Sequence, residues 1–169
     1  FSLQYSIAQV LLEWGLYPRH VIGHSVGEIA AACVAGVVSI SDAIKIVWKR
    51  ASLMKSLQPS DGMKEAASGM VALRCAPKNV FEILEEKMTE EELSGFDVGA
   101  VNGPRQTVIS GSLSLLEKAS EIIRQDSSLI TAKKLSVANG FHSSLMDPIV
   151  QELVNFIDEE VQFIEKGAV

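Results

Sequence analysis

The sequence is short of cysteine, of histidine, of positive charge and of long apolar runs, and each shortage narrows what the chain can be. Its two cysteines, Cys33 and Cys75, are isolated, with no C-x-x-C pattern and no histidine nearby. That argues against a structural zinc site, leaves no metal site to expect, and fits a reducing, cytoplasmic compartment. Cys33 lies among Ala30, Ala31, Ala32 and Ala35 and reads as a small core residue. Lys and Arg number 15 against 21 Asp and Glu, a net charge of −6, which argues against nucleic acid and anionic membranes as main partners. No apolar run reaches the length of a membrane span, and no signal peptide, internal repeat or low-complexity tract is visible. What is present is apolar residue: 47% of 169 positions, enough to bury a core in one or two small domains and too much for a disordered chain.

The most informative stretch is Gly23-His24-Ser25-Val26-Gly27. It follows the short apolar segment Val21-Ile22 and opens onto Glu28-Ile29-Ala30-Ala31-Ala32, a helix-forming run. Strand, sharp turn and helix are the setting of a G-x-S-x-G nucleophile elbow. The turn strains the serine backbone, and the flanking glycines let neighbouring segments approach without a Cβ clash. The Ser25 hydroxyl then stands at a helix N-terminus, where developing negative charge is favoured, and the Val26 N–H is placed to donate to an oxyanion. The alternative is a glycine-rich turn between a buried strand and a helix.

Apolar periodicity predicts a helix over Phe1–Trp14, a strand over His20–Ile22, a helix after the elbow to Ala35, and another from Ser41 to Leu57 with Ser39 or Ser41 as N-cap. Gln58–Gly62 breaks that helix. A second pattern follows: strand Met70–Arg74, a helix opened by Pro77 and ending in the solvated acidic run Thr89–Glu92, strands Asp97–Val101 and Gln106–Ser110, helix Leu113–Arg124 and strand Leu129–Leu135. This β-α-β-β-α-β order is that of a ferredoxin-like unit, inserted into an α/β framework. A helix from Leu145 to Val161 closes the sequence, with Ser144 and Asp147 as its capped start. The ends at Phe1 and Val169 read as cut from a longer polypeptide.

A nucleophilic serine needs a base. Of the three histidines, His20 sits at the strand entrance and reads as structural; His24 adjoins Ser25, is poorly aimed to be its base, and orients or lines the site; His142 lies in a polar loop just before a helix. Spacing leaves His142 open between a surface residue and a base. Arg50 falls within the apolar stripe Ala43, Ile46, Val47, Leu53 and Met54. A charge there needs an anionic partner, either an internal carboxylate such as Glu28 or Asp42, or a substrate carboxylate received in two parallel hydrogen bonds.

Five segments, in order, resemble the malonyl-CoA:acyl-carrier-protein transacylases, most of all the acyltransferase domains of type I polyketide and fatty acid synthases. Gly23–Glu28 is similar to their GHSxGE motif and Ala35–Ala43 to A-G-x-L-S-L-x-D-A. Arg50–Met54 is similar to R-x-x-L-M, Asn102–Pro104 with Val108–Gly111 to N-x-P and V-I-S-G, and Phe141-His142-Ser143 to F-H-S. The resemblance implies an α/β-hydrolase-like large subdomain with a parallel sheet, residues 1–66 and 136–169, and an inserted ferredoxin-like subdomain, residues 67–135. It implies ping-pong transfer of a malonyl group from coenzyme A through a Ser25 ester to the phosphopantetheine thiol of an acyl carrier protein, with no permanently bound cofactor and with other synthase domains as partners. Ser25 becomes nucleophile, His142 base, Arg50 the carboxylate clamp and Val26 an oxyanion donor, with His24, Met54, Asn102 and Phe141 lining the substrate. Phe141 before the histidine accompanies malonyl rather than methylmalonyl units, although Asn139-Gly140 departs from the usual His-Ala. A family glutamine would precede Phe1. The competing readings are a serine esterase, with Asp97 or Asp126 completing its triad, and a non-catalytic scaffold fragment of a megasynthase.

Overall fold

The computed structural model describes residues 1–58, 67–126 and 130–164. The chain divides into two compact units: Phe1–Leu53 together with the stretch from Gln151 onward, and Met54–Val150.

The first unit is built on helices. Helix α1, Ser2–Glu13, buries none of its residues: Leu3 is 73% and Ile7 52% exposed. Helix α2, Gly27–Val34, ends on Gly36 at φ 70°, a left-handed position that suits glycine. Gly36 N–H donates to the Cys33 carbonyl and Val37 N–H to that of Ala32, the paired bonds of a Schellman ending. Helix α3, Ile40–Ser56, is capped by Ser39, whose Oγ accepts from the Asp42 N–H at 3.0 Å. Ser39 is therefore the cap, and Ser41 is not. Val38, Ala43, Ile46 and Val161 form the core of this unit, with Ile29, Ala32, Cys33 and Ile157 packed around it. Lys49 adds an ion pair to Glu152 at 2.6 Å and lies 5.5 Å from the Phe156 ring.

The expected strand His20–Ile22 is not a strand. A strand exists through ladder bonds to a neighbour, and these residues have no ladder partner among the described residues; Ile22 is 96% exposed. For the same reason the parallel sheet expected around the elbow is absent among the described residues. An open cavity of about 940 Å3 lies here, lined by Gln4, Leu11, Tyr17, His20, Ile22 and Val34.

The second unit carries the sheet. Strands β1 (Ser68–Leu73), β2 (Phe96–Gly103), β3 (Gln106–Ser112) and β4 (Ala132–Lys134) run in the order β2-β3-β1-β4, every pairing antiparallel. Helix α4, Pro77–Glu85, buries Val80 and Leu84 at i, i+4. Helix α6, Leu113–Asp126, buries Leu116, Ala119, Ser120 and Ile123 along one stripe. The apolar ones meet Val71, Leu73 and Ile109 in a single core. Six of them, Val80, Leu84, Ile109, Leu116, Ala119 and Ile123, are fully shielded from water, and each of the larger five contributes about 1.5–3 kcal/mol of hydrophobic stabilisation. β3 is central and buried over five consecutive residues, Thr107 to Gly111, the pattern of a strand covered on both faces.

The acidic run is not the tail of the preceding helix. Thr89 caps a separate short helix α5, Glu90–Leu93, in a reciprocal capping box with Glu92. The last strand is shorter than predicted; Leu129 falls outside the described residues, as do most of the residues predicted to break α3. Helix α7, Asp147–Glu160, begins after a 3-10 turn, Ser144–Met146. Ser144 does not cap it through Asp147; its hydroxyl and N–H both donate to Asp97 at 2.9 Å. Among the described residues no helix is long and apolar enough to cross a membrane.

Candidate active site

Two non-glycine residues among those described hold positive φ: Ser25 at 53° and His142 at 59°. Such a conformation costs on the order of 1–3 kcal/mol and persists only where the surroundings impose it. These are the two residues that the sequence reading singles out as nucleophile and base.

At Ser25 the surroundings are the elbow. Gly27 N–H donates to the His24 carbonyl at 2.9 Å and Glu28 N–H to the Ser25 carbonyl at 3.0 Å, closing the turn into α2. A Cβ on Gly23 would collide with the backbone of Gly27 and Glu28, so the segment entering the turn lies directly on the first helical residues. Val26 is the N-cap of α2, and its N–H belongs to the donors that a helix leaves without an intrahelical acceptor. His24 is exposed and borders the cavity beside α1; neither Ser25 nor Arg50 lines that cavity.

Arg50 reaches the elbow from α3. Its Nη2 donates to Ser25 Oγ at 3.4 Å. The guanidinium is half-buried, and that burial lowers its pKa from the ordinary arginine value, though an arginine keeps its charge at neutral pH. Among the described residues Arg50 forms no ion pair. Asp42, one of the carboxylates considered for it, is occupied by Lys45 at 2.8 Å and by Ser39. Among the described residues, then, the arginine is bonded to the serine and paired with no carboxylate.

His142 belongs to the second unit, in the loop Asn139–Ser144, and is exposed. The loop is fastened on both sides. Asn139, 2% exposed, donates through Nδ2 to the Met54 carbonyl at 2.6 Å. Gly140 N–H donates to Ser68 Oγ at 2.8 Å, Ser110 Oγ to the Phe141 carbonyl at 2.5 Å, and Ser143 Oγ to the Gly140 carbonyl at 2.6 Å. Phe141 and Met54 are both partly buried. Asn102 is exposed at the β2–β3 hairpin. It lies five residues beyond Asp97, the residue that holds Ser144. On the same strand, Gly99, three residues before Asn102, lies against the Phe141 carbonyl.

Both acids considered for an esterase triad are engaged elsewhere. Asp97 Oδ2 takes two bonds from Ser144, and Asp126 pairs with Lys87 at 2.7 Å. Among the described residues no group of three or more His, Cys, Asp or Glu could hold a metal ion. Sequence reasoning missed Ser68, Ser110 and Asn139 as side chains that fasten the histidine loop, and it considered Asp97 only as a triad acid; the one hint was Asn139-Gly140, where the resemblance fails.

The sequence model of the acyl transferase domain matches residues 1–164. The chain belongs to this family. Among relatives of this acyl transferase chain, polyketide synthase GfsB of Streptomyces halstedii is 40% identical over 159 residues, 93% of this chain and 3% of that protein. Non-reducing polyketide synthase tazA of Aspergillus terreus is 39% identical over 155 residues, 90% of this chain and 6% of that protein. The chain thus spans a few per cent of the length of these relatives. Among solved structures, FabD from Acinetobacter baumannii superposes with a TM-score of 0.81 at 26% identity, covering 95% of this chain and 49% of that one. The malonyl CoA-acyl carrier protein transacylase from Clostridium perfringens gives 0.78 at 31% identity, covering 96% of this chain and 48% of that one. The acyl transferase chain shares the α/β fold of these domains.

Proposed function

We propose that this chain carries the acyl-transfer chemistry of a malonyl-CoA:acyl-carrier-protein acyltransferase within a polyketide or fatty acid synthase. The observation that carries the reading is the Arg50 guanidinium hydrogen-bonded to the hydroxyl of a strained serine at a helix N-terminus. A serine hydrolase needs no cation beside its nucleophile, whereas an acyl donor that ends in a carboxylate does.

In this reading Ser25 Oγ attacks the thioester carbonyl of malonyl-CoA and loses its proton to His142. The Val26 N–H donates to the oxyanion of the tetrahedral intermediate. Collapse breaks the C–S bond, and the coenzyme A thiolate leaves with the proton held by His142. The phosphopantetheine thiol of an acyl carrier protein then attacks the Ser25 ester, its proton passing to His142 and on to Ser25 as the ester breaks. Arg50 receives the malonyl carboxylate in both steps, and the Phe141 ring fills the space that an α-methyl group requires. His24 and Met54 line the acyl site. No bound cofactor or metal enters this scheme. The same reading makes 67–135 a ferredoxin-like subdomain and assigns the rest to the catalytic one, and it places the protein in the cytoplasm.

The test compares malonyl transfer from coenzyme A to a phosphopantetheinylated carrier protein with hydrolysis of p-nitrophenyl esters. Transfer that outpaces hydrolysis is expected. Hydrolysis at a hydrolase's rate with no transfer would replace this reading with the esterase one.

A further inference from the structure

Ser110 is an unexpected residue for its place. It sits in the middle of β3, paired with Met70 on one side and Asp97 on the other, and its side chain is completely buried. A hydroxyl has one proton to give. The Gly69 carbonyl is 3.5 Å away, but the Phe141 carbonyl is at 2.5 Å and takes the proton.

That carbonyl belongs to the peptide joining Phe141 to His142. A peptide is planar, so fixing its oxygen fixes the plane from which the His142 side chain departs. Gly99 keeps the seat open beneath it: a Cβ there would stand 3.1 Å from Ser110 Cβ and 3.3 Å from the Phe141 oxygen. Asn139, Ser68 and Asp97 fasten the loop before and after this point. Ser110 alone among them grips the peptide next to the residue at φ 59°.

We infer that Ser110 is a positioning residue for His142, its buried hydroxyl holding the Phe141 carbonyl and so the backbone conformation from which the imidazole is presented. The kinetic consequence rests on His142 being the base; the structural one does not.

The intact protein is labelled with 13C-histidine, and the His142 ring signal is assigned by its disappearance in His142→Ala. Ser110→Ala is compared with Ser120→Ala, which removes another buried hydroxyl, bonded to the Leu116 carbonyl at 2.6 Å on α6. Both variants lower the melting temperature. Only Ser110→Ala should shift the His142 ring signal and its titration midpoint, and only it should lower kcat, by about 10- to 100-fold at unchanged KM, the range expected for a misplaced group. Ser110→Thr keeps the hydroxyl and should restore kcat. If Ser110→Ala does not fold, Ser110→Cys, a weaker donor of similar size, carries the same comparison. A His142 signal and a kcat that respond to Ser110→Ala no more than to Ser120→Ala would overturn the inference. A shifted signal in Ser110→Ala, with His142→Ala transferring malonyl at the wild-type rate, would leave the positioning role standing and remove the base assignment.

Discussion

The Arg50 guanidinium sits 3.4 Å from Ser25 Oγ, donating a hydrogen bond to it. A cation in that place has a specific use if the acyl group ends in a carboxylate. Arg50→Ala should depress kcat/KM for malonyl-CoA by about 2–5 kcal/mol of binding, the usual cost of removing one partner of a close charge pair. Acetyl-CoA, with no carboxylate, should change little or improve. Arg50→Lys keeps charge without the fork and should fall between. Equal losses for both thioesters, with a lowered melting temperature, would mean that Arg50 is structural.

Ser25 is expected to carry the acyl group. Intact-mass spectrometry after mixing with malonyl-CoA should show a malonyl adduct on the wild type and none on Ser25→Ala. His142→Ala should slow formation of the adduct by about 100-fold or more, the contribution of a well-placed general base, without unfolding the protein. An adduct that survives in Ser25→Ala would locate the nucleophile elsewhere.

Phe141 is expected to set extender selectivity. Phe141→Ser should relax discrimination against methylmalonyl-CoA by roughly 10- to 200-fold, the range for one methyl group in a tight pocket. Competition between the two thioesters gives the ratio directly, and an unchanged ratio would remove Phe141 from that role.

A pH-dependent contribution to stability comes from α5. The side-chain hydrogen bond from Lys118, and next the Thr89 backbone, hold the Glu92 carboxyl below its ordinary pKa. A depressed folded-state pKa stabilises at pH above the unfolded value of about 4.3 and stops doing so as pH falls through the folded one. Glu92→Gln should therefore melt earlier than wild type at pH 7, and the gap should close below about pH 4. A gap that stays constant down to pH 3 would show that the charge of Glu92 does not matter.

The sequence made some of this legible and not the rest, for physical reasons. Helices α3 and α6 carry one-sided apolar spacing, which local periodicity encodes. The strands of the second unit alternate or run apolar between turn residues and could be read the same way. The segment at His20–Ile22 looks like a strand for the same reason, but strand formation depends on a neighbour that local pattern does not contain. Thr89 shows another limit: its capping box with Glu92 was written in the spacing, yet the acidic run hid the helix start. At the candidate site, the elbow and Arg50 could be found because each is a local anomaly, glycines around a serine or a charge in an apolar stripe. Ser110 could not, because its partner lies 31 positions away and nothing in V-I-S-G announces a carbonyl to be held. Asn102 was drawn in by motif alone, and the sheet register puts it at the hairpin.

The left-handed backbone of Ser25 has one more consequence. Glycine rests comfortably at φ 53°, and serine does not. Ser25→Gly, which removes the hydroxyl of the proposed nucleophile, is thus also a change that the turn itself prefers. A Ser25→Gly protein that melts higher than wild type would measure how far the chain is bent out of its own preference to keep a hydroxyl at that corner, and a melting temperature at or below wild type would show that the corner holds serine without protest.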